Sequence, residues 1–349
     1  RAYGSPQSLF ASEVLADMMA EKIGMDPLEF RYLNVYREGS TTPTGCAPDV
    51  IAFPKAIDTL RPLYKEAKEK AKEKNEKGGN IKYGVGISLN MYGCGLDGAD
   101  SSEIWVELTK DGVTVGASWE DHGQGADMGV LTYTYETLRP LGIKPENIKL
   151  VMNDMEKTPN SGPAGGSRSN VVTGNAIVAG CRKLMEAMKK PDGAFRTYDE
   201  MVEENLPLRY EGKWTAPFSA CDVDTGQGDP FSTYMYGVLM SEVAVDTTTG
   251  KTQVEKMTIV SDCGTIVNKL VLEGQIYGGL VQGIGLALSE DFEDLKKHTT
   301  LTGCGIPQIK DAPDNIVIIH QETPRPHGPY GASGVGEMPL SAPHASIIN

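Results

Sequence analysis

At 349 residues the chain exceeds the usual length of one domain, so two packed units are expected. Its apolar (40%) and charged (23%) fractions are ordinary for a globular protein, but its 40 glycines exceed the typical share of about 7%. A formal charge of −14 argues against nucleic acid or an anionic membrane as a partner of the outer surface, while leaving room for a positive pocket inside.

In chain order, Ser5 and Pro6 read as an N-cap and first turn, with Leu9, Phe10, Val14, Leu15, Met18 and Met19 on one helical face up to Gly24. Asp26-Pro27-Leu28-Glu29 opens a second helix, Asp26 capping and Glu29 placed to reach back. Residues 40–54, with Pro43, Gly45, Pro48 and Pro54, read as a surface linker. Residues 65–77 are nearly all Lys, Glu and Ala, a solvated helix with opposite charges at helical spacing. Strands follow at 83–89, 103–108 and 113–118, the last two joined by Lys110-Asp111-Gly112. A helix at 126–138, a strand at 148–153 and a glycine-rich entry into a helix at 165–189 complete the first group. After a Gly-rich, polar stretch near 191–230, strands at 235–246 and 251–260 flank the turn Thr247-Thr248-Thr249-Gly250. A glycine-containing helix at 270–288 and a strand at 315–320 end the series. Hairpins with interspersed helices indicate an α+β fold rather than a doubly wound parallel sheet.

The six cysteines, Cys46, Cys94, Cys181, Cys221, Cys263 and Cys304, include no C-x-x-C pair, so neither a zinc knuckle nor an iron–sulfur loop is visible and reduced thiols are expected. No apolar run reaches membrane-spanning length and no signal peptide opens the chain, so no membrane association and a cytoplasmic location are expected. The start at Arg1, without methionine and within a motif, reads as a piece of a longer polypeptide.

Four segments place glycines beside polar side chains. Asp121-His122-Gly123-Gln124-Gly125 is either a strand-to-helix turn or a loop whose amides touch a bound group. Ser161 to Asn170 runs into a helix start, and its amides, Ser167, Ser169 and the Arg168 guanidinium suit an anion such as phosphate. The Walker ending and the dinucleotide fingerprint are both absent. Residues 274–285 put Gly274, Gly278, Gly279, Gly283 and Gly285 in a helix, where each costs about 0.5–1 kcal/mol relative to alanine. Tight helix packing explains most of these glycines, but not Gln275 and Gln282 on an apolar face. In 328–337 a glycine-rich run ends at Glu337, which is either an exposed residue starting a helix or a desolvated carboxylate raised toward useful basicity.

Together with Arg1-Ala2-Tyr3-Gly4-Ser5-Pro6-Gln7, these segments, in this order, resemble the xanthine oxidase/aldehyde oxidoreductase family of molybdenum hydroxylases, closest to the bacterial aldehyde oxidoreductases of the sulfate-reducer type. The resemblance covers essentially the whole chain. It implies a molybdopterin-binding fold, with residues 1–50 ending a first molybdenum-binding domain and linker. Residues 51–349 would form a second such domain, truncated at its carboxy end, with sub-halves at about 80–190 and 230–349.

The implied cofactor is molybdopterin cytosine dinucleotide carrying molybdenum, with no direct protein ligand to the metal. Gly165, Gly166, Ser167, Arg168, Ser169 and Asn170 would grip its dinucleotide end. His122, Gly123, Gln124, Gly125 and Gln275 would hold the pterin side, Arg1 would lie beside the metal, and Gly334, Val335 and Gly336 would line the approach to Glu337, the catalytic base. Tyr3 would sit near the substrate entrance. The implied reaction is oxidation of aldehydes to carboxylic acids with oxygen from water and hydride passing to a ligand of the metal. Iron–sulfur (2Fe-2S) clusters on an absent amino-terminal part, an acceptor such as flavodoxin or ferredoxin, and a homodimer are also implied. Tyr277, Met338 and Ala126-Asp127-Met128 depart from the commoner family pattern, which bears on substrate preference. Two further readings are a purine or N-heterocycle hydroxylase of the same family and a non-catalytic molybdopterin-binding subunit.

Overall fold

The computed structural model describes residues 2–96 and 100–349. Helix α1 (Ser5–Lys22) begins one residue earlier than a Ser5 cap requires. The N-cap is Gly4 in the left-handed region, and the Ser5 hydroxyl instead reaches Ser341. Helix α2 (Pro27–Asn34) starts as expected, the Asp26 carboxylate accepting from the amides of Leu28 and Glu29. Helix α3 (Phe53–Glu76) extends well ahead of its charged half. Its first turns bury Phe53, Ala56, Ile57, Leu60 and Tyr64, so the expected linker stops at residue 52. The prolines near its start masked that face, since Pro54 sits in the first turn, where no amide partner is lost.

The strands and later helices are β1 (Ile81–Cys94), β2 (Ser101–Thr109), β3 (Gly112–Ala117), α4 (Ala126–Leu138), β4 (Ile148–Met152), α5 (Ser169–Met188), α6 (Tyr198–Glu203), β5 (Arg209–Thr215), β6 (Thr233–Asp246), β7 (Thr252–Asp262), α7 (Lys269–Leu288), β8 (Ile316–Gln321), α8 (Met338–Ser341) and α9 (Pro343–Ile348). They form two four-stranded sheets, ordered β4-β3-β2-β5 and β8-β7-β6-β1. Each contains a hairpin, then a helix, then a strand returning parallel to the hairpin's second strand: β2-β3-α4-β4 and β6-β7-α7-β8. The α+β expectation therefore holds, with β3–β4 and β7–β8 as parallel pairs.

The expected halves do not follow the sheets. Strand β1 pairs with β6 in the second sheet, and β5, which falls in the stretch read as polar and irregular, closes the first by pairing with β2. Strand β5 alternates regularly, with Tyr210, Gly212 and Trp214 turned inward, but its middle inward position is Gly212, which packs directly on α5, where a Cβ would meet the Ala176 carbonyl oxygen at 2.0 Å. One core lies between α4, α5 and the first sheet. A second lies between α7, α8, α9 and the second sheet, whose other face is covered by α3. None of the described helices is long and apolar enough to cross a membrane, and none of the six cysteines is joined in a disulfide among the described residues.

The glycines of α7 divide by what they face. A Cβ on Gly279 or Gly283 would strike Pro339 or Pro343, and one on Gly285 would strike Pro307, whereas Gly274 and Gly278 face open space. Close helix packing thus accounts for two of the five and the approach of the Pro307 loop for a third. We expect Gly283→Ala, whose Cβ would lie 2.3 Å from a rigid proline ring, to destabilise the protein. The cost should be about 1–3 kcal/mol. Gly274→Ala should stabilise it by about 0.5–1 kcal/mol. Denaturant midpoints of the two variants that shift in the same direction would contradict this division.

Candidate functional site

The four glycine segments meet at one cleft of about 540 Å³, between the ends of the two sheets. Its lining takes in residues 122–126 at the start of α4, Gly165, Ser167, Arg168, Ser169 and Asn170 at the start of α5, 265–268 with Val271, Leu272 and Gln275 at the start of α7, and residues 333–337. Trp119, Met128, Thr132 and the segment from Cys263 to Asn268 were not anticipated. The last carried one signal, Asn268 as a helix cap, since its side chain accepts from the Val271 amide.

Three helix N-termini point at this cleft, but they are not equivalent. At α4 the Asp121 carboxylate occupies the positive end, accepting from the amides of Gly123, Gly125 and Asp127. Burial would raise the pKa of Asp121, yet these amides outweigh it and hold the carboxyl below its ordinary range. At α7 the Asn268 side chain fills the same role. Helix α5 has no side-chain cap, so the amides of Ser169 and Asn170 are left to the cleft.

The polar side chains of 166–170 are largely spent within the protein, contrary to the expectation that they grip a phosphate. Arg168 is 1% exposed, and its guanidinium donates to Asp100 at 2.6 Å and to the carbonyls of Ser101, Ser161 and Pro163. A cation taken out of water needs such a set of acceptors, and the backbone turn of 161–163 supplies them. Asn170 donates to the Ser333 carbonyl at 2.6 Å and accepts from the Tyr133 hydroxyl at 3.0 Å. Gly166 lies behind the cleft wall, its backbone paired with Gly95. The Gln124 side chain closes on its own loop, donating to the Glu120 carbonyl and accepting from the His122 amide. The Gln275 side-chain amide has no partner among the described residues. Tyr3 is 76% exposed, outside the cleft lining, and a Cβ on Gly165 would come 2.5 Å from its hydroxyl. Arg1 lies outside the described residues.

Among the described residues Glu337 is the one carboxylate lining the cleft. It precedes α8 without capping it and is half-buried. Its side chain accepts from the Ser167 hydroxyl, the Gly166 amide and the Tyr92 hydroxyl. Burial nevertheless prevails over these donors and holds its pKa above the ordinary glutamate value. Burial likewise raises the Tyr92 phenol, with the Glu337 charge adding to the effect. The loop leading to Glu337 is pinned from below by Arg325, which pairs with the buried Asp262 at 2.9 Å and donates to the Tyr234 carbonyl.

Residues 59–313 match the family model described as a molybdopterin cofactor-binding domain, and residues 1–35 match a second model of that description. Over its whole length the chain is 56% identical to the aldehyde oxidoreductase of Megalodesulfovibrio gigas, covering 38% of that protein. It is 28% identical over 97% of its length to the xanthine dehydrogenase/oxidase of Gallus gallus, covering 26% of that protein. The crystal structure of the aldehyde oxidoreductase from Desulfovibrio desulfuricans matches all of this chain and 38% of its own, with a TM-score of 0.97 and 62% identity. The chain thus spans well under half the length of these relatives.

Two outcomes follow from this site. Arg168→Met should cost about 3–5 kcal/mol by leaving Asp100 buried without its cation, and Arg168→Lys should not restore the loss, since a lysine lacks the guanidinium fork. Unfolding curves that match the parent would refute it. The raised carboxyl of Glu337 binds its proton more tightly folded than unfolded. That preference contributes stability below the unfolded pKa and is lost as pH rises through the folded one. Glu337→Gln should therefore raise the melting temperature at neutral pH, and by less in mild acid. A shift independent of pH would show the charge to be unstrained.

Proposed function

The chain belongs to the molybdopterin cofactor-binding domain family of the aldehyde oxidoreductases, and we propose that its cleft holds the molybdenum–pterin cofactor of an aldehyde-oxidising enzyme with Glu337 as the base. The observation carrying this reading is the position of Glu337, a desolvated carboxylate with no other on the cleft's lining among the described residues. The cleft fits the group in size, being within the roughly 300–1,000 Å³ of small-molecule sites. It also fits in charge, because the uncapped start of α5 presents amides to an anion.

The Ser169 and Asn170 amides would hold the pyrophosphate of a cytosine dinucleotide form, and the side chains of Gln275 and Gln124, with His122 and the backbone of 123–125, would hold the pterin end. Gly334, Val335 and Gly336 let the wall approach closely on the side of the base. When bound, the group supplies two-electron redox chemistry and Lewis acidity. Glu337 takes up a proton from water at its carboxylate as oxygen is delivered to the carbonyl carbon of the aldehyde. Its raised pKa brings its basicity nearer that task. Val335, two residues before Glu337 in the cleft lining, would add apolar surface on the carboxylate's side. Tyr3 would stand at the substrate entrance. The length of the relatives beyond this chain would carry the iron–sulfur clusters that pass electrons to flavodoxin or ferredoxin, in a cytoplasmic homodimer.

In the full-length protein, Glu337→Gln should retain molybdenum and released cytosine nucleotide at parental stoichiometry while aldehyde turnover falls at least ~10²-fold. Turnover close to parental in a variant with full metal content would remove Glu337 from the mechanism.

A further inference from the structure

Ser167 occupies an unusual place for a residue in an anion-binding loop. Its φ is +52°, in the left-handed region that a serine adopts at a cost. Gly334 and Gly336 pack onto it: a Cβ on Gly334 would lie 2.4 Å from its carbonyl oxygen, and one on Gly336 would lie 3.4 Å from its hydroxyl. The hydroxyl donates to the Glu337 carboxylate and accepts from the Glu337 amide at 3.3 Å. Both hydrogen-bonding faces of the hydroxyl are therefore turned to one residue, and that residue is not a ligand. The neighbouring Gly166 amide donates to the same carboxylate.

We propose that Ser167 is a positioning residue for Glu337: its hydroxyl fixes the rotamer of the carboxylate and stabilises its charged form, and the left-handed backbone is what aims it there. This rests on Glu337 acting as the base. It divides the loop into two tasks, with 166–167 serving the carboxylate and the amides of 169–170 serving the anion. Among the described residues, the titratable group facing Glu337 from the adjoining strand is Tyr92 of β1, with Cys94 and Tyr3 gathered around that phenol. None of these is a cation, so the two hydroxyls and the Gly166 amide are the described groups that favour the charged carboxylate.

The test uses the full-length, cofactor-loaded protein and the variants Ser167→Ala and Ser167→Gly. Alanine removes the hydroxyl and keeps the backbone strain, whereas glycine removes both. Losing a donor to a charged group should raise the carboxyl pKa, moving the acid limb of the kcat/KM profile upward by about one pH unit. Both variants should shift alike, with molybdenum and nucleotide content unchanged. Infrared titration of the Glu337 carboxyl band, taken as the difference from Glu337→Gln, should move in the same direction. This second readout tests the Ser167 contact even if Glu337→Gln proves active, which would defeat the base assignment alone. An unmoved acid limb and an unmoved carboxyl titration would overturn the proposal. Loss of nucleotide with both unmoved would return Ser167 to the phosphate.

Discussion

The close approach of two glycine loops, at Gly334 on Ser167, is the contact on which the site depends. One loop ends at α5, which packs on the first sheet, and the other ends at α8, which packs on the second. Any side chain at 334 would hold them apart, because its Cβ would meet both the Ser167 carbonyl and the Cys94 thiol. Around this contact the backbone is tied by Gly95 to Gly166 and by Asn170 to Ser333. The two sheets also exchange strands, β1 and β5 lying in the sheet distant from them in sequence. The cleft is therefore a property of the whole described chain, and neither half builds it alone.

Electrostatics in the cleft come from backbone more than from charged side chains. A protein of net charge −14 offers an anion little from its outer surface. Three helix starts reach the cleft, and two are already filled by Asp121 and Asn268. What remains open is the start of α5, where uncapped amides and the helix dipole favour negative charge while the guanidinium of Arg168 is spent on partners inside the protein. Arg168 contributes indirectly, by tying the 161–163 turn and Asp100 together beneath that start. The same economy appears at Arg325, whose buried pair with Asp262 anchors the loop carrying the base.

Local periodicity and turn chemistry were legible in the sequence, because a helix cap, a hairpin turn or an amphipathic face is written within a few residues. Thus α4 ends where expected at both sides, Asp26 caps α2, and the turns at 110–111 and 247–250 join their strands. The residues of the site were also legible as four glycine-rich segments, and nearly all of them line one cleft. The parts that escaped are those whose local signal is short, interrupted or given meaning only by packing. Strand β5 is short and pressed on α5, the first turns of α3 hide behind prolines, and the segment from Cys263 to Asn268 gains meaning only beside the other walls.

The sequence by itself determined which residue types were available to the site: glycines for close approach, one carboxylate at the end of a glycine run, and a helix start rich in hydroxyls. Tertiary structure alone decided how they are spent. Whether Arg168 faces a ligand or the interior depends on where Asp100 and the 161–163 carbonyls fall in space. Whether Glu337 is a solvated helix start or a desolvated base depends on Ser167, Gly166 and Tyr92, far from it along the chain. Desolvation and hydrogen bonding act over a few ångströms of space, and separation along the sequence does not encode that distance.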